Sequence, residues 1–579
     1  MRKLFLVALF LLMPLSNCTL PAPSQEDEMS KSVTIESISF EKSFFRPGDA
    51  AQWTIALKSE KSVKLNLITT ILYLNRILDE KHQHVDLDPG SMTLESSWSP
   101  PNKSCTGYGL DIRLETVEGQ LVDSYSSAFD VLEYWTQNPR YGFLTDFSPN
   151  RHDIDQVFDT LMKYHINGLQ FYDWMYRHDQ YLTVEESYHD PLGRLSSRAT
   201  VDQLITSAHA HGMAAMPYTA VYAASIPFFE QHKDWALYKT DGTPFYFGEN
   251  FLVLMDPRSD SPWTKHLLNQ FDTVLAETKF DGIHLDQYGD QGYVHDAAGH
   301  SFTLDQPLAD LINATKAVVQ TRRGDNGAVI FNAVTNWPIE TVAPSKEDLV
   351  YIEVWPPFTT YNDLLALVIQ GQVLGGGKPV VIAAYIDPAY EVNARLIDAI
   401  LFASGAGHIE LGEQGGYLSE AYFPNYKTPT AELSRVLQRY YDFAIRYENV
   451  TGPQTHSANK QYANQINING LNVSASSEHN KIMPVIRESD HYLAINLINM
   501  LGLNSGEWAK NSSQSPTILD ESEVRITGIT KQIKGIWFAS PDKVELALIP
   551  LDFSQKEDSI ILKIPFLQYW DLILIEWIE

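Results

Sequence analysis

The stretch "DGIHLDQYGDQG", Asp281 to Gly292, begins as a short buried strand and then sets a carboxylate, Asp286, at its end. A second stretch, "LVYIEVWPP" from Leu349 to Pro357, does the same with Glu353. Short apolar runs of this kind recur along the middle of the chain. Strand candidates are 142–145, 168–171, 214–219, 282–285, 328–331, 349–352, 380–384 and 408–411. Helical patterns such as "DIDQVFDTLMKYH" and "WTKHLLNQFDTVLAETK" lie between them. Eight strand–helix units within 135–450 predict a (β/α)8 barrel. A doubly wound open sheet would want a Gly-rich first turn, and "LTDFSPN" is not one.

Strands of such a barrel are parallel and buried, and their C-terminal ends open onto one face where the loops build a site. Asp286 and Glu353 then stand at the rim, on the fourth and sixth strands. An Asp after a strand also commonly caps a helix. Here a loop, Gln-Tyr-Gly-Asp-Gln-Gly, follows Asp286, and Pro356 and Pro357 follow Glu353, so neither carboxylate precedes a helix start. Two carboxylates across one pocket are the equipment for glycoside cleavage. The acid of such a pair must hold a proton near neutral pH, which apolar surroundings favour. Glu353 has the more apolar neighbours in sequence; Asp286 lies beside Gln287 and near His284. That ordering makes Asp286 the expected nucleophile and Glu353 the expected acid/base.

Other predicted strand ends carry rings, amides and acids suited to a polyhydroxyl ligand. The second gives Tyr172, Asp173, Trp174 and His178, and the third gives Tyr218 and Tyr222. The fifth gives Asn332, the eighth Glu413, and Trp355 follows the sixth. No HExxH appears, and "HAHG" at His209–Gly212 reads as a helix end, so neither metal nor cofactor is expected.

The flanks differ from the middle. Alternating β-branched runs over 32–134, such as "SVTIESISF" and "YGLDIRLET", predict an Ig-like β-sandwich. Residues 451–579, with "HYLAINLIN" and "KVELALIPLDF", predict a second one. The first 17 residues have a basic start and an apolar run too short to favour a spanning helix. Leu15-Ser16-Asn17-Cys18 resembles a bacterial lipoprotein processing box, with Cys18 the lipidated residue and 18–31 a tether. An exported protein, lipid-anchored in the cell envelope, is expected. Cys105 is then left without a partner, so no disulfide framework is available. With 43 basic and 72 acidic residues, the net charge of −29 argues against nucleic acid, whose affinity comes mainly from phosphate neutralisation. A monomer is expected.

"YGFLTDF", "NGLQFYDWMYRHD", "DGIHLDQYGD" and "YIEVWPP" resemble glycoside hydrolase family 66, the endo-dextranases and cycloisomaltooligosaccharide glucanotransferases. The resemblance implies a retaining enzyme acting on α-1,6-glucan without metal or cofactor. It places the family's nucleophile on Asp286 and its acid/base on Glu353, with Tyr172 and Asp173 touching the sugar at the cleavage point. Cyclising members usually carry a carbohydrate-binding module late in the barrel. The short link between the seventh and eighth strands leaves no room for one, so endo-dextranase activity is expected over cyclisation. The alternatives are a cyclising or transglycosylating enzyme, a relative acting on another α-glycoside, and a surface lipoprotein that binds glycan without cleaving it.

Overall fold

The computed structural model describes residues 32–578 except 472 and 477. The expected signal segment, the lipidation site Cys18 and the tether lie outside the described residues.

Alternation decides which side chains the barrel shows to its interior. The strands are β1 (Tyr141–Leu144), β2 (Gly168–Phe171), β3 (Ala214–Ala220) and β4 (Gly282–Asp286), then β5 (Ala328–Val334), β6 (Leu349–Glu353), β7 (Val380–Ala383) and β8 (Ala406–His408). They pair in sequence order, each parallel to the next. A parallel bridge between Phe143 and Gly412 brings the last strand segment back to the first. Successive strand residues point to opposite faces. On β4, Ile283 and Leu285 pack outward with the helices, while His284 turns inward against Tyr141 and Tyr351. The inner core continues through Phe143, Met216, Ile330 and Val381. Each such buried apolar side chain contributes about 1.5–3 kcal/mol. The same parity sends Asp286 and Glu353, the last residues of β4 and β6, toward the mouth.

Close approach requires glycine at several strand contacts. A Cβ on Gly282 would sit 1.9 Å from the carbonyl oxygen of Ala328 on β5, and one on Gly412 would sit 2.2 Å from that of Phe143. The eighth strand runs two residues earlier than the sequence pattern places it. Gly407 lets the strand pass the carbonyl of Pro139, which a Cβ would meet at 2.5 Å.

Eight helices follow the eight strands: α1 (Ile154–Met162), α2 (Arg198–Ala210), α3 (Pro262–Glu277), α4 (Asp305–Arg323), α5 (Ile339–Val342), α6 (Tyr361–Leu374), α7 (Glu391–Ala403) and α8 (Ala431–Arg446). The third connection carries a further short helix, Ile226–Gln231. The fifth helix is a single turn, too short for an amphipathic period to announce it.

Before the barrel, a three-stranded and a four-stranded antiparallel sheet share one core that includes Trp53, Leu110 and Phe129. After it, a six-stranded and a four-stranded sheet enclose Ile495, Ile536 and Ile573. Both flanks are tied to the barrel. Buried Arg446 of α8 forks onto Asp111 of the first sandwich at 2.7 and 2.8 Å. Trp508 of the second donates its indole N–H to Phe358 O and its backbone N–H to Thr359 O. That braces the loop after β6, which carries Trp355.

Candidate active site

The open mouth of the barrel holds a cavity of about 590 Å3. Asn332, inward-facing on β5 between β4 and β6, organises its centre. Its Nδ2 donates to Asp286 Oδ1 and to Glu353 Oε2, each at 2.8 Å. Those two oxygens are therefore no farther apart than two such bonds laid end to end, about 5.6 Å; retaining pairs stand about 5–5.5 Å apart. The outer oxygens are held symmetrically. Tyr218 donates to Asp286 Oδ2 at 2.7 Å, and Tyr385 donates to Glu353 Oε1 at 2.9 Å.

Among the described residues no cation pairs with either carboxylate, so burial governs their proton affinity. Burial, and then the charge of Glu353, push Asp286 up to about 7, against the opposing bonds from Tyr218 and Asn332. Burial also raises Glu353, opposed by Asn332 and Tyr385. Asp286 keeps part of its surface open to the cavity while Glu353 is only 7 % exposed. The charge of Glu353 thus favours the resting proton on Asp286, the reverse of the order that the sequence neighbours suggest. Of the sequence neighbours that order the two roles, Gln287 favours the Asp286 anion through its backbone N–H, but the side chains of Gln287 and His284 serve elsewhere. His284 bonds Tyr141 beneath the site, and Gln287 donates to the carbonyls of Asn332 and Trp337, bracing the loop after β4. Neither side chain bonds Asp286.

Of the other expected site residues, Tyr172, Asp173, His178, Tyr218, Tyr222, His284, Gln287, Asn332 and Trp355 line the cavity. Tyr172 stacks on Phe423 at 4.5 Å, and Trp355 stands at the rim. Asp173 adopts a left-handed backbone with φ 53°, a strained state for a residue with a side chain. Burial, with the charges of Asp190 and Asp286, lifts it to about 7 against Arg194. Among the described residues, three buried polar atoms on the lining have no partner: Gln170 Oε1, His178 Nδ1 and Asn332 Oδ1. Such atoms carry a desolvation cost that a ligand hydroxyl removes.

Two expected residues lie outside the cavity. Trp174 is buried beneath it, packed on Phe280 and donating its indole N–H to Tyr218 O, so it supports Tyr218 from behind. Glu413 is fully buried and bound to Arg151 at 2.6 Å, and it caps the backbone N–H groups of Thr145 and Asp146. Its role is to hold the loop after β1. Arg151, far off in sequence, gives no signal of this. Sequence reasoning missed Phe247 and Phe251, from the insertion after β3, and Tyr422 and Phe423, from the loop after β8. Nothing local marks them, because only chain closure brings them to the mouth.

One group among the described residues has the spacing of metal ligands: Asp398, His408 and Glu410. His408 Nδ1 lies 2.9 Å from Asp398 Oδ1 and 3.3 Å from Glu410 Oε2, and Nε2 lies 3.2 Å from Ala384 O. Burial pulls the ring's affinity for its proton down, but the two carboxylates override it and hold it at about 10. An imidazolium donates Nδ1–H to Asp398 and Nε2–H to the carbonyl of Ala384, with Glu410 in ion-pair range, and would bind a cation only after losing a proton.

A barrel whose fourth and sixth strands end in carboxylates bridged within a sugar-sized cleft belongs to the class of carbohydrate-active (β/α)8 proteins. The family model for glycosyl hydrolase family 66 matches residues 40–574, and the chain belongs to that family. It is 24 % identical to a cycloisomaltooligosaccharide glucanotransferase of Niallia circulans, over 95 % of this chain and 73 % of that one. It is 21 % identical to a dextranase of Streptococcus salivarius, over 88 % of this chain and 72 % of the relative. A crystal structure of a Paenibacillus sp. cycloisomaltooligosaccharide glucanotransferase, complexed with cycloisomaltoheptaose, superposes with TM-score 0.87 at 21 % identity, covering 94 % of this chain and all of that one.

Proposed function

We propose that the protein is a retaining endo-hydrolase of α-1,6-glucan, with Asp286 as nucleophile and Glu353 as acid/base. The observation that carries the reading is the pair of buried carboxylates bridged by Asn332 inside an open cleft. Asp286 attacks the anomeric carbon while the glycosidic C–O bond breaks and Glu353 gives its proton to the departing oxygen. Water then adds to the glycosyl-enzyme, leaving its hydroxyl on the sugar and its proton on Glu353, and Asp286 departs as a carboxylate. In the unliganded pair burial and the charge of Glu353 hold the proton on Asp286 up to about 7, so the cycle needs that proton moved to Glu353 as substrate fills the cleft. An anion on Asp286 raises the proton affinity of Glu353, and esterification of Asp286 removes that anion and lowers it again.

The names of the relatives support a glucan substrate and also a second reading, in which a sugar hydroxyl intercepts the same intermediate. Hydrolysis is favoured by the link from β7 to β8, which runs from Ala383 to Ala406 around the single helix α7. Chromatography of products from dextran over time separates the readings. Linear oligomers are expected; rings as the main product would favour cyclisation, and no product would leave a binding protein. The dextran products should vanish in Asp286→Asn and Glu353→Gln.

A further inference from the structure

A wall of the cleft is shared with a neighbouring cavity. A second cavity, of about 300 Å3, shares His178, Phe251 and Leu252 with the first. Its far side is built from the strand hairpin after β2 and from Ser225, Ile226 and Pro227 after β3.

The charged groups there are already committed. Arg177 donates to the carbonyls of Tyr176 and His189 and lies 4.1 Å over the Tyr176 ring. Asp190 holds Arg194 Nε at 2.6 Å and the backbone N–H groups of Leu192 and Arg194. An anionic or cationic ligand would have to break these bonds. What remains open is His178, 5 % exposed, with Nδ1 unpartnered. Burial, helped by Arg177, lowers its pKa to about 4, so near neutral pH it is an uncharged imidazole. A neutral ring nitrogen beside the apolar walls of Phe251, Ile226 and Pro227 matches a hydroxyl-bearing ring with apolar faces.

We propose that this second cavity is a distal subsite of the cleft, receiving further hexose units of the same glucan that cross the rim over the wall of His178 and Phe251. The inference rests on the reading of the main cleft as a glucan site. It places the added binding on the side of β2 and β3, away from Glu353 on β6.

Ile226 lines the second cavity and not the first, so Ile226→Trp fills it without touching the carboxylates. The measurement is kcat/KM along a series of isomaltooligosaccharides and on dextran, with thermal unfolding as the check on folding. The parent should gain efficiency with chain length. Ile226→Trp should remove about tenfold of that gain on long substrates relative to the shortest one cleaved, an amount typical of losing one well-fitted subsite. Titration of the same oligomers into the Glu353→Gln protein, with and without Ile226→Trp, should show the matching loss in affinity. Should Ile226→Trp not fold, Pro227→Trp, at an exposed position on the same wall, takes its place. A chain-length preference within twofold of the parent overturns the distal subsite alone. A parent that neither cleaves nor binds these oligomers overturns the reading of the whole cleft.

Discussion

One barrel carries two carboxylate pairs in opposite states. Asp286 and Glu353 face an open cleft, joined by an amide and flanked by two phenols. Asp398 and Glu410 lie with no exposure, joined by the ring of His408. Taking a carboxylate out of water costs several kcal/mol unless charge or hydrogen bonds compensate. In the closed pair the histidine is held protonated far above its usual range and offsets one anion, while burial and the charge of Glu410 push Asp398 well above the usual carboxylate range. In the open pair only neutral donors do, so the proton stays exchangeable near neutral pH. An amide where an imidazole could stand thus separates a pair able to do acid–base chemistry from a pair locked as structure.

The sharpest break of this contrast is Asp286→Asn. It should cost dextran cleavage about a thousandfold or more, as removal of a covalent nucleophile does. The same substitution should help folding. With its pKa raised from 3.8 to about 7, folded Asp286 holds more protons than the unfolded chain across that window, so the parent loses stability as pH rises through it. Melting temperatures of parent and variant should coincide near pH 4, and the variant should melt higher by pH 8. A parent that stays the more stable at pH 8 would show that Asp286 carries no burial penalty.

The closed pair should behave in the reverse way. His408→Gln leaves the buried Asp398–Glu410 pair without its cation and should destabilise the fold by about 3–5 kcal/mol. Because folding raises the ring from 6.5 to about 10, its contribution is complete below pH 6.5 and is lost as pH rises through 10. Denaturant titrations should therefore show a gap between parent and variant that is widest near pH 6.5 and closes toward pH 10. A gap independent of pH would mean that packing, not charge, is what His408 supplies.

These pairs also mark how far sequence reading reaches. Alternation along a short parallel strand is a local signal, and by itself it lines up Tyr172, Tyr218, Asp286, Asn332 and Glu353 on the inner face. Each strand fixes the depth of its own last residues. Trp174 and Glu413 follow strands too, but they stand on loops, where parity stops applying and a distant partner decides direction. For Glu413 that partner is Arg151, 262 residues away. Phe251 and Phe423 reach the mouth only through loop closure, which no periodicity records. The Asp398–His408–Glu410 group escapes notice because its members come from a helix and a strand that read as plain core.

Asn332→Ala sharpens the comparison at its centre. The amide donates to both carboxylates, and a bond to a charged group contributes about 1.5–3 kcal/mol, so activity near pH 6 should fall about 10–100-fold. Losing the donor raises the proton affinity of both acids. Both limbs of the kcat/KM profile should then move to higher pH, and a profile that only drops in height would deny the bridge an electrostatic part.

Tyr385→Phe produces the smallest effect and asks the finest question, which of the two carboxyls is the acid. The phenol donates to Glu353 alone, and its loss should cost about threefold to tenfold at the optimum, in line with one hydrogen bond. Without it the ionised form of Glu353 is less stable, so Glu353 keeps its proton to higher pH. If Glu353 is the proton donor, the basic limb of the profile shifts upward and the acidic limb stays. Tyr218→Phe, acting on Asp286 alone, should move the acidic limb instead. The two phenols are placed symmetrically about Asn332, so geometry does not rank the carboxylates, whereas the chemistry must. Limbs that move in the opposite assignment would exchange the roles of Asp286 and Glu353 while leaving the cleft, the bridge and the substrate reading in place.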